Sequence, residues 1–220
     1  MKILNRDKET YEHAIITYWQ QLLSIGIDKN PFFKDYVDLD IQDYVLSDSL
    51  FYFIPNAPEG SHRVIRKKKI QAGKPVLIAL NTSLFLTTNG NIEELMIKAD
   101  VQENGVEEIN VKHYNSENLR DIPRDSFNYK KDNLRDIRIK TPSFNVNVPV
   151  DSILKHPYFE GHVYGGLEYG EFTAVSDGYW IPIEFEAGSQ GVHTVETTVR
   201  GIDEVGLMFL TETTTEFIVE

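Results

Sequence analysis

The side chains best suited to chemistry crowd into one stretch, "HPYFEGHVYGGLEYGE", residues 156–171. His156, Glu160 and His162 open it, and Glu168 and Glu171 follow. Imidazoles and carboxylates brought together in twos and threes are what a divalent cation needs. Pro157 and Gly161 interrupt any regular strand between the two histidines, and no HExxH is present, so the spacing alone fixes no metal site. The same stretch offers a second chemistry. Tyr158, Phe159, Tyr164 and Tyr169 supply flat apolar faces with hydroxyl ends, the kind of surface that holds sugar rings or peptides. Gly161, Gly165, Gly166 and Gly170 let a ligand approach the backbone. The candidate ligand surface therefore comprises Tyr158, His162, Tyr164, Glu168 and Tyr169, joined by the neighbouring aromatics Tyr179 and Trp180. The plainer reading of the stretch is a packed surface loop over the mouth of the fold.

Other chemistries find less material. Glu184 and Glu186 stand two apart, which on a strand places them on one face about 7 Å apart. Two carboxylates at roughly 5–10 Å can perform glycoside hydrolysis, but solvent-facing strand acids have the same spacing. There is no GxSxG, no P-loop, and no glycine-rich dinucleotide turn between a strand and a helix. The absence of cysteine excludes thiolate ligands, cysteine nucleophiles and disulfides. Nothing in the sequence requires a cofactor.

The charge narrows the partners. The formal net charge is −12, and it is concentrated: from Asp151 to Glu220 there are 13 acidic residues against Lys155 and Arg200. Such a surface disfavours nucleic acid and anionic membranes. No apolar run reaches spanning length and the N-terminus carries no signal-peptide core. The expectation is a cytoplasmic protein without membrane insertion; secretion stays open if a leader has been removed. A small molecule, a glycan or a protein remains the expected partner, and a homo-oligomer is open.

These residues must be carried by a scaffold, and the periodicity describes one. "TYEHAIITYWQQLLSIG" places Tyr11, Ile15, Tyr18, Trp19, Leu22 and Leu23 at helical spacing, with Asn5 or Asp7 to cap the start and Gly26 to close it. A second, short helix is predicted over 91–100, where Asn91 and Glu94 resemble a capping box. Elsewhere the signals are strands: 49–55, 62–71, 74–86, 105–114 and nearly everything after 138. The basic run Arg66–Lys69 predicts an exposed edge strand guarded by lysines. The aspartates Asp38, Asp40 and Asp43 miss the calcium-loop register. Residues 115–133 are polar and predict a mobile loop. "AVSDGYW", residues 174–180, contains Asp177-Gly178 between apolar runs, the pattern of a hairpin turn with glycine at positive φ.

The expected fold is mainly β: one domain spanning 1–220, a β-sandwich of immunoglobulin-like or jelly-roll type. The N-terminal amphipathic helix, within 1–26, packs on it.

Three segments carry a resemblance. "YWQQLLSIGIDKNP" (18–31) is similar to a "WWxWLLSIPxxxNP" opening, "RKKKIQAGKPVLIALNTS" (66–83) to an "xxxIPAGKxxxxPxxN" segment, and "AVSDGYWIPIEFEAGSQGVHTV" (174–195) to an "AVSDGYWxxLxPLxPGxHTI" signature. Together they resemble a family of uncharacterised microbial proteins of unknown function. The resemblance implies a β-rich fold with an N-terminal helix and no named activity. Gly26 departs from the family's proline, and the turn before His193 is longer than the family's. The function expected is a non-catalytic binding or interaction module for a carbohydrate or peptide. The alternatives are a metal- or carboxylate-dependent hydrolase acting on sugars and a structural or assembly subunit.

Overall fold

A computed structural model describes residues 1–5, 7–40, 46–57, 63–103, 105–115, 122–159, 163–164, 167–203 and 205–220; for 101–103, 158, 163 and 164 it describes the backbone alone. The chain is mainly β, with two α-helices, α1 (Lys8–Ser24) and α2 (Ile92–Glu103). Among the described residues, thirteen strands form two sheets. The first sheet holds β1 (Lys2–Ile3), β3 (Tyr52–Ile54), β5 (Val76–Thr87), β8 (Arg138–Lys140), β9 (Phe144–Val148), β10 (Val163–Tyr164) and β11 (Gly170–Glu184). The second runs in the order β2 (Tyr36–Asp38), β4 (Val64–Ile70), β13 (Met208–Val219), β12 (Gly191–Ile202), β6 (Val106–Asn115) and β7 (Asp125–Lys130).

The two sheets face each other, as a β-sandwich requires. Val76, Ile78, Leu80, Ile181 and Ile183 of the first meet Ile109, Val111, Val195, Val199 and Phe217 of the second. The pairing is mixed: β3 and β10 run parallel to β5, and β4 runs parallel to both β2 and β13. An immunoglobulin-type sandwich is antiparallel throughout, so these pairings are a departure within the sandwich class.

The first sheet is covered on its other face too. Asp7 caps α1 by accepting from the Thr10 backbone N–H at 2.8 Å. The helix then lays Ala14, Ile15, Tyr18, Trp19, Leu22 and Leu23 against Leu77, Ala79, Leu86, Ala174 and Trp180. Its end is sealed differently from the expectation. Asn30, fully buried, donates from Nδ2 to the Leu22 carbonyl at 2.7 Å. Gly26 is not left-handed; its backbone bridges to Ser152, and a Cβ there would run into the Asp151 carboxylate. The glycine answers a close approach rather than a turn.

With both faces buried, β5 and β11 cannot show the alternation of a half-solvated strand. A bulge adds to this. Tyr179 pairs with Asn81 and Trp180 with Ala79, so Leu80 is the extra residue on β5. Before the bulge the even residues Ile78 and Leu80 face the second sheet; beyond it Leu84 and Leu86 face α1. Where the second sheet ends, α2 takes over, burying Leu95 and Ala99 on Phe85 and Val175. Its start is the expected one: Asn91 Oδ1 accepts from the Glu94 N–H, and Asn91 Nδ2 donates to Glu94 Oε2.

Three further expectations change. Part of the loop expected over 115–133 is a strand: β7 pairs antiparallel with β6 from His113↔Asp125 to Glu108↔Lys130. Residues 116–121 lie outside the described residues. The basic run is not at an edge, because β4 is paired on both sides. Arg66 is fully buried and donates to the carbonyls of Lys34 and Phe32, and Lys68 meets Asp40 at 2.7 Å. Finally, "GEFTAVS" and "YWIPIEFEA" are one continuous strand, β11, and not two strands about a turn.

Candidate functional site

The residues predicted from 156–171 are only partly described. Glu160 and His162 lie outside the described residues. Tyr158 belongs to a single 3-10 turn, Pro157–Phe159, and Tyr164 to β10, both described by backbone alone. The His156 ring stacks on Phe33 with centroids 3.6 Å apart and planes 14° from parallel. Glu168 and Tyr169 are exposed, Tyr169 by 49%. Among the described residues no three His, Asp or Glu side chains converge as a metal-ligand set. Of the proposed acid pair, Glu184 is bound by Lys2 at 3.0 Å and Glu186 lies past the end of β11.

Tyr179 and Trp180 need a correction as ligand contacts. Trp180 is fully buried beneath α1, edge-on to Tyr18 at 5.1 Å, and Tyr179 is in the inter-sheet core. Neither shows a face to a ligand. Asp177-Gly178 is likewise mid-strand. Along β11 the residues alternate between two buried environments. Ser176 faces α1, where its hydroxyl accepts from Trp19 Nε1 at 2.8 Å. Asp177 faces the other way, toward α2 and the edge of the inter-sheet core. Gly178 lacks positive φ; it is glycine because a Cβ would stand 2.7 Å from the Asn81 carbonyl oxygen and 2.8 Å from Thr82 Cα.

Asp177 is fully buried and forms a two-point ion pair with Arg138 of β8: Nε donates to Oδ1 at 3.0 Å and Nη2 to Oδ2 at 2.8 Å. Arg138 Nη2 also reaches Asp100 of α2 at 2.8 Å, and Lys140 lies 3.5–3.6 Å from both carboxylates. Burial works against the guanidinium charge, but the Asp177 hydrogen bonds and attraction outweigh it and raise its pKa further. On Asp100 the attraction of Lys140 and then Arg138 likewise overcomes burial and lowers its pKa. Every charge here is matched. This cluster ties α2 to the sheet.

A second polar cluster differs. His113 of β6 and His193 of β12 are brought together because Val195 pairs with His113 and His193 with Asn115. Four atoms line up. Asp125 Oδ2 lies 2.7 Å from His113 Nδ1, His113 Nε2 lies 2.9 Å from His193 Nδ1, and His193 Nε2 lies 2.6 Å from the Ser189 carbonyl. Phe185 packs its ring on both imidazoles. The Met1 ammonium stands 3.5 Å from Asp125. Burial drives the His113 pKa down to about 4 against the hydrogen bond that His113 Nδ1 donates to Asp125. Burial would raise the Asp125 pKa, but His113 and the ammonium lower it.

This chain ends at a pocket. Asn115, Arg124, Glu186, Ser189, Gln190 and His193 line a cavity of about 240 Å³. Its wall is the tight turn 186–190, closed by the Ser189 N–H on the Glu186 carbonyl at 3.1 Å and by Gly188 at φ +93°. Asn115 Oδ1 is buried in that region and has no hydrogen-bond partner among the described residues. Sequence reasoning singled out His193 only as a strand opener after a lengthened turn. That insertion, "AGSQG", was the available signal, since it builds the pocket wall. The meeting of His113 with His193, 80 residues apart, has no local signature.

Comparisons of the chain with protein-family models, curated proteins and solved structures found no match. No helix among the described residues is long and apolar enough to cross a membrane.

Proposed function

We propose that the protein is a non-catalytic binding module and that its ligand site is the pocket over His193. The observation that carries this reading is the polar lining of that pocket. Asn115, Arg124, Gln190 and His193 bring amide, guanidinium and imidazole groups to one cavity, and ligand O–H and N–H groups would pair with such a lining. Polar donors of that kind fit the carbohydrate or peptide ligand expected from composition. The volume suits something smaller than the ligands of pockets of roughly 300–1,000 Å³. A catalytic role has less support, because both ring nitrogens of His193 are already hydrogen-bonded. Membership in the microbial family is proposed on the three sequence segments alone.

The test is a titration of the 15N-labelled protein with monosaccharides and dipeptides. The expected result is amide shifts confined to Gly188, Ser189, Gln190 and Asn115, abolished by Gln190→Trp, which fills the cavity. Shifts centred on Glu168 and Tyr169, or none, would overturn the assignment.

An assembly subunit is the second reading, and one observation favours it. At the tip of the β12–β13 hairpin Val205, Leu207 and Met208 are exposed, Met208 by 89%. Asp203 Oδ1 accepts from the N–H groups of Val205 and Leu207, so the apolar tip is held rigid. Exposed apolar clusters of this kind mark contact surfaces. Light scattering on wild type and Leu207→Asp distinguishes an assembling protein, which the variant would dissociate, from a monomer.

A further inference from the structure

The chain Asp125–His113–His193–Ser189 can be counted in protons. Its two ends, a carboxylate and a carbonyl, only accept. Three contacts of 2.6–2.9 Å therefore need three protons, and two neutral imidazoles bring two. Without the third, one contact would set lone pair against lone pair at hydrogen-bonding distance. The extra proton has three possible homes. Asp125 is a poor one, because the Met1 ammonium stands 3.5 Å away and favours the carboxylate. His113 is a poor one, because it is wholly buried and its imidazolium is strongly disfavoured. His193 remains. It sits on the pocket, its Nε2 points at a carbonyl, and its Nδ1 can donate inward to His113.

We propose that His193 is an imidazolium in the folded protein, and that the pocket it floors takes a small anion bearing a hydroxyl, of the sugar-acid or hydroxy-acid class. This rests on the binding reading above. Among the described residues, the groups facing His193 include His113 and Asn115 from β6, Phe217 from β13, Phe185 and Glu186 from the end of β11, and Ser189 from the turn; Arg124 and Asp125 stand beyond. With His193 charged, the described pocket lining carries two cations, His193 and Arg124, against one carboxylate, Glu186. A carboxylate fits opposite Arg124, whose fork favours that geometry. A hydroxyl fits the amides of Asn115 and Gln190, which line the same pocket.

The experiment has two arms. Histidine ring 15N spectra at pH 7 should show His193 protonated at both nitrogens and His113 at Nδ1 alone. A singly protonated His193 would overturn the proposal and leave the binding reading standing. Glucuronate, glucose and glucosamine are then titrated into wild type and Arg124→Gln, an exposed position whose change spares the core. Glucuronate should bind wild type at least tenfold more tightly than glucose, and Arg124→Gln should erase that preference. Equal affinity for glucose and glucuronate, or a preference for glucosamine, overturns the anion assignment alone. Binding of none of the three, with no shifts from any neutral sugar or dipeptide, overturns the binding reading with it.

Discussion

Two buried charge clusters flank the inter-sheet core, and they are built to different ends. Around Asp177 a carboxylate, a guanidinium and a second ion pair to α2 close on one another. Around His193 the groups form a line. One end is buried against Asp125 and the other opens on a pocket lined by the amides of Asn115 and Gln190. A closed cluster defines where elements sit. An open line can exchange a proton or meet a ligand. The contrast shows that burial of charge alone does not mark a site; the matching of its partners does.

Substitutions should separate the two. The largest effect is expected from Arg138→Met, which strands the fully buried Asp177 carboxylate. Loss of one partner of a buried pair costs about 3–5 kcal/mol, and urea unfolding would read it. A loss under 1 kcal/mol would mean that the cluster does not hold α2. Next comes Gly178→Ala. Its Cβ meets backbone atoms of β5, which cannot rotate away, so overpacking of about 1–3 kcal/mol is expected. Trp19→Phe removes the donor to Ser176 and leaves a buried hydroxyl unpaired, for a loss of about 1–3 kcal/mol; thermal melting measures both.

The open line should respond to pH instead. His113 is neutral in the fold with a pKa lowered to about 4, whereas the unfolded chain takes up a proton near pH 6.5. The unfolded state then binds more protons between those values, so stability falls as pH drops from about 6.5 toward 4. The slope is at most about 1.4 kcal/mol per pH unit. His113→Leu should flatten that limb, and an unchanged acid profile would refute the assignment. Smallest of all, Met208→Asp at the hairpin tip should change monomer stability by within about 0.5 kcal/mol, while any self-association seen by light scattering disappears.

Much of the scaffold was legible from local pattern. The face of α1, the capping pair Asn91 and Glu94, and the alternation of β9 and β12 follow from periods of 3.6 and 2, which no distant contact alters. The candidate site was far less legible. The aromatic stretch at 156–171 drew attention by composition, whereas the pocket is made by the 186–190 turn and residues from two strands distant in sequence. The basic run of β4 looked like a guarded edge because a sequence does not show whether a strand has neighbours on both sides.

"AVSDGYW" marks the boundary between the two kinds of knowledge. The sequence by itself determined that Ala174, Val175, Tyr179 and Trp180 belong to apolar strand stretches and that Gly178 is intolerant of a larger residue. The tertiary structure alone decided that Asp177-Gly178 lies inside a strand. A strand buried on both faces loses the alternation that would identify it, and an aspartate can enter such a strand only where Arg138, 39 residues earlier in the chain, arrives to match its charge. The turn preference of Asp-Gly is local; two buried faces and an ion pair outweigh it.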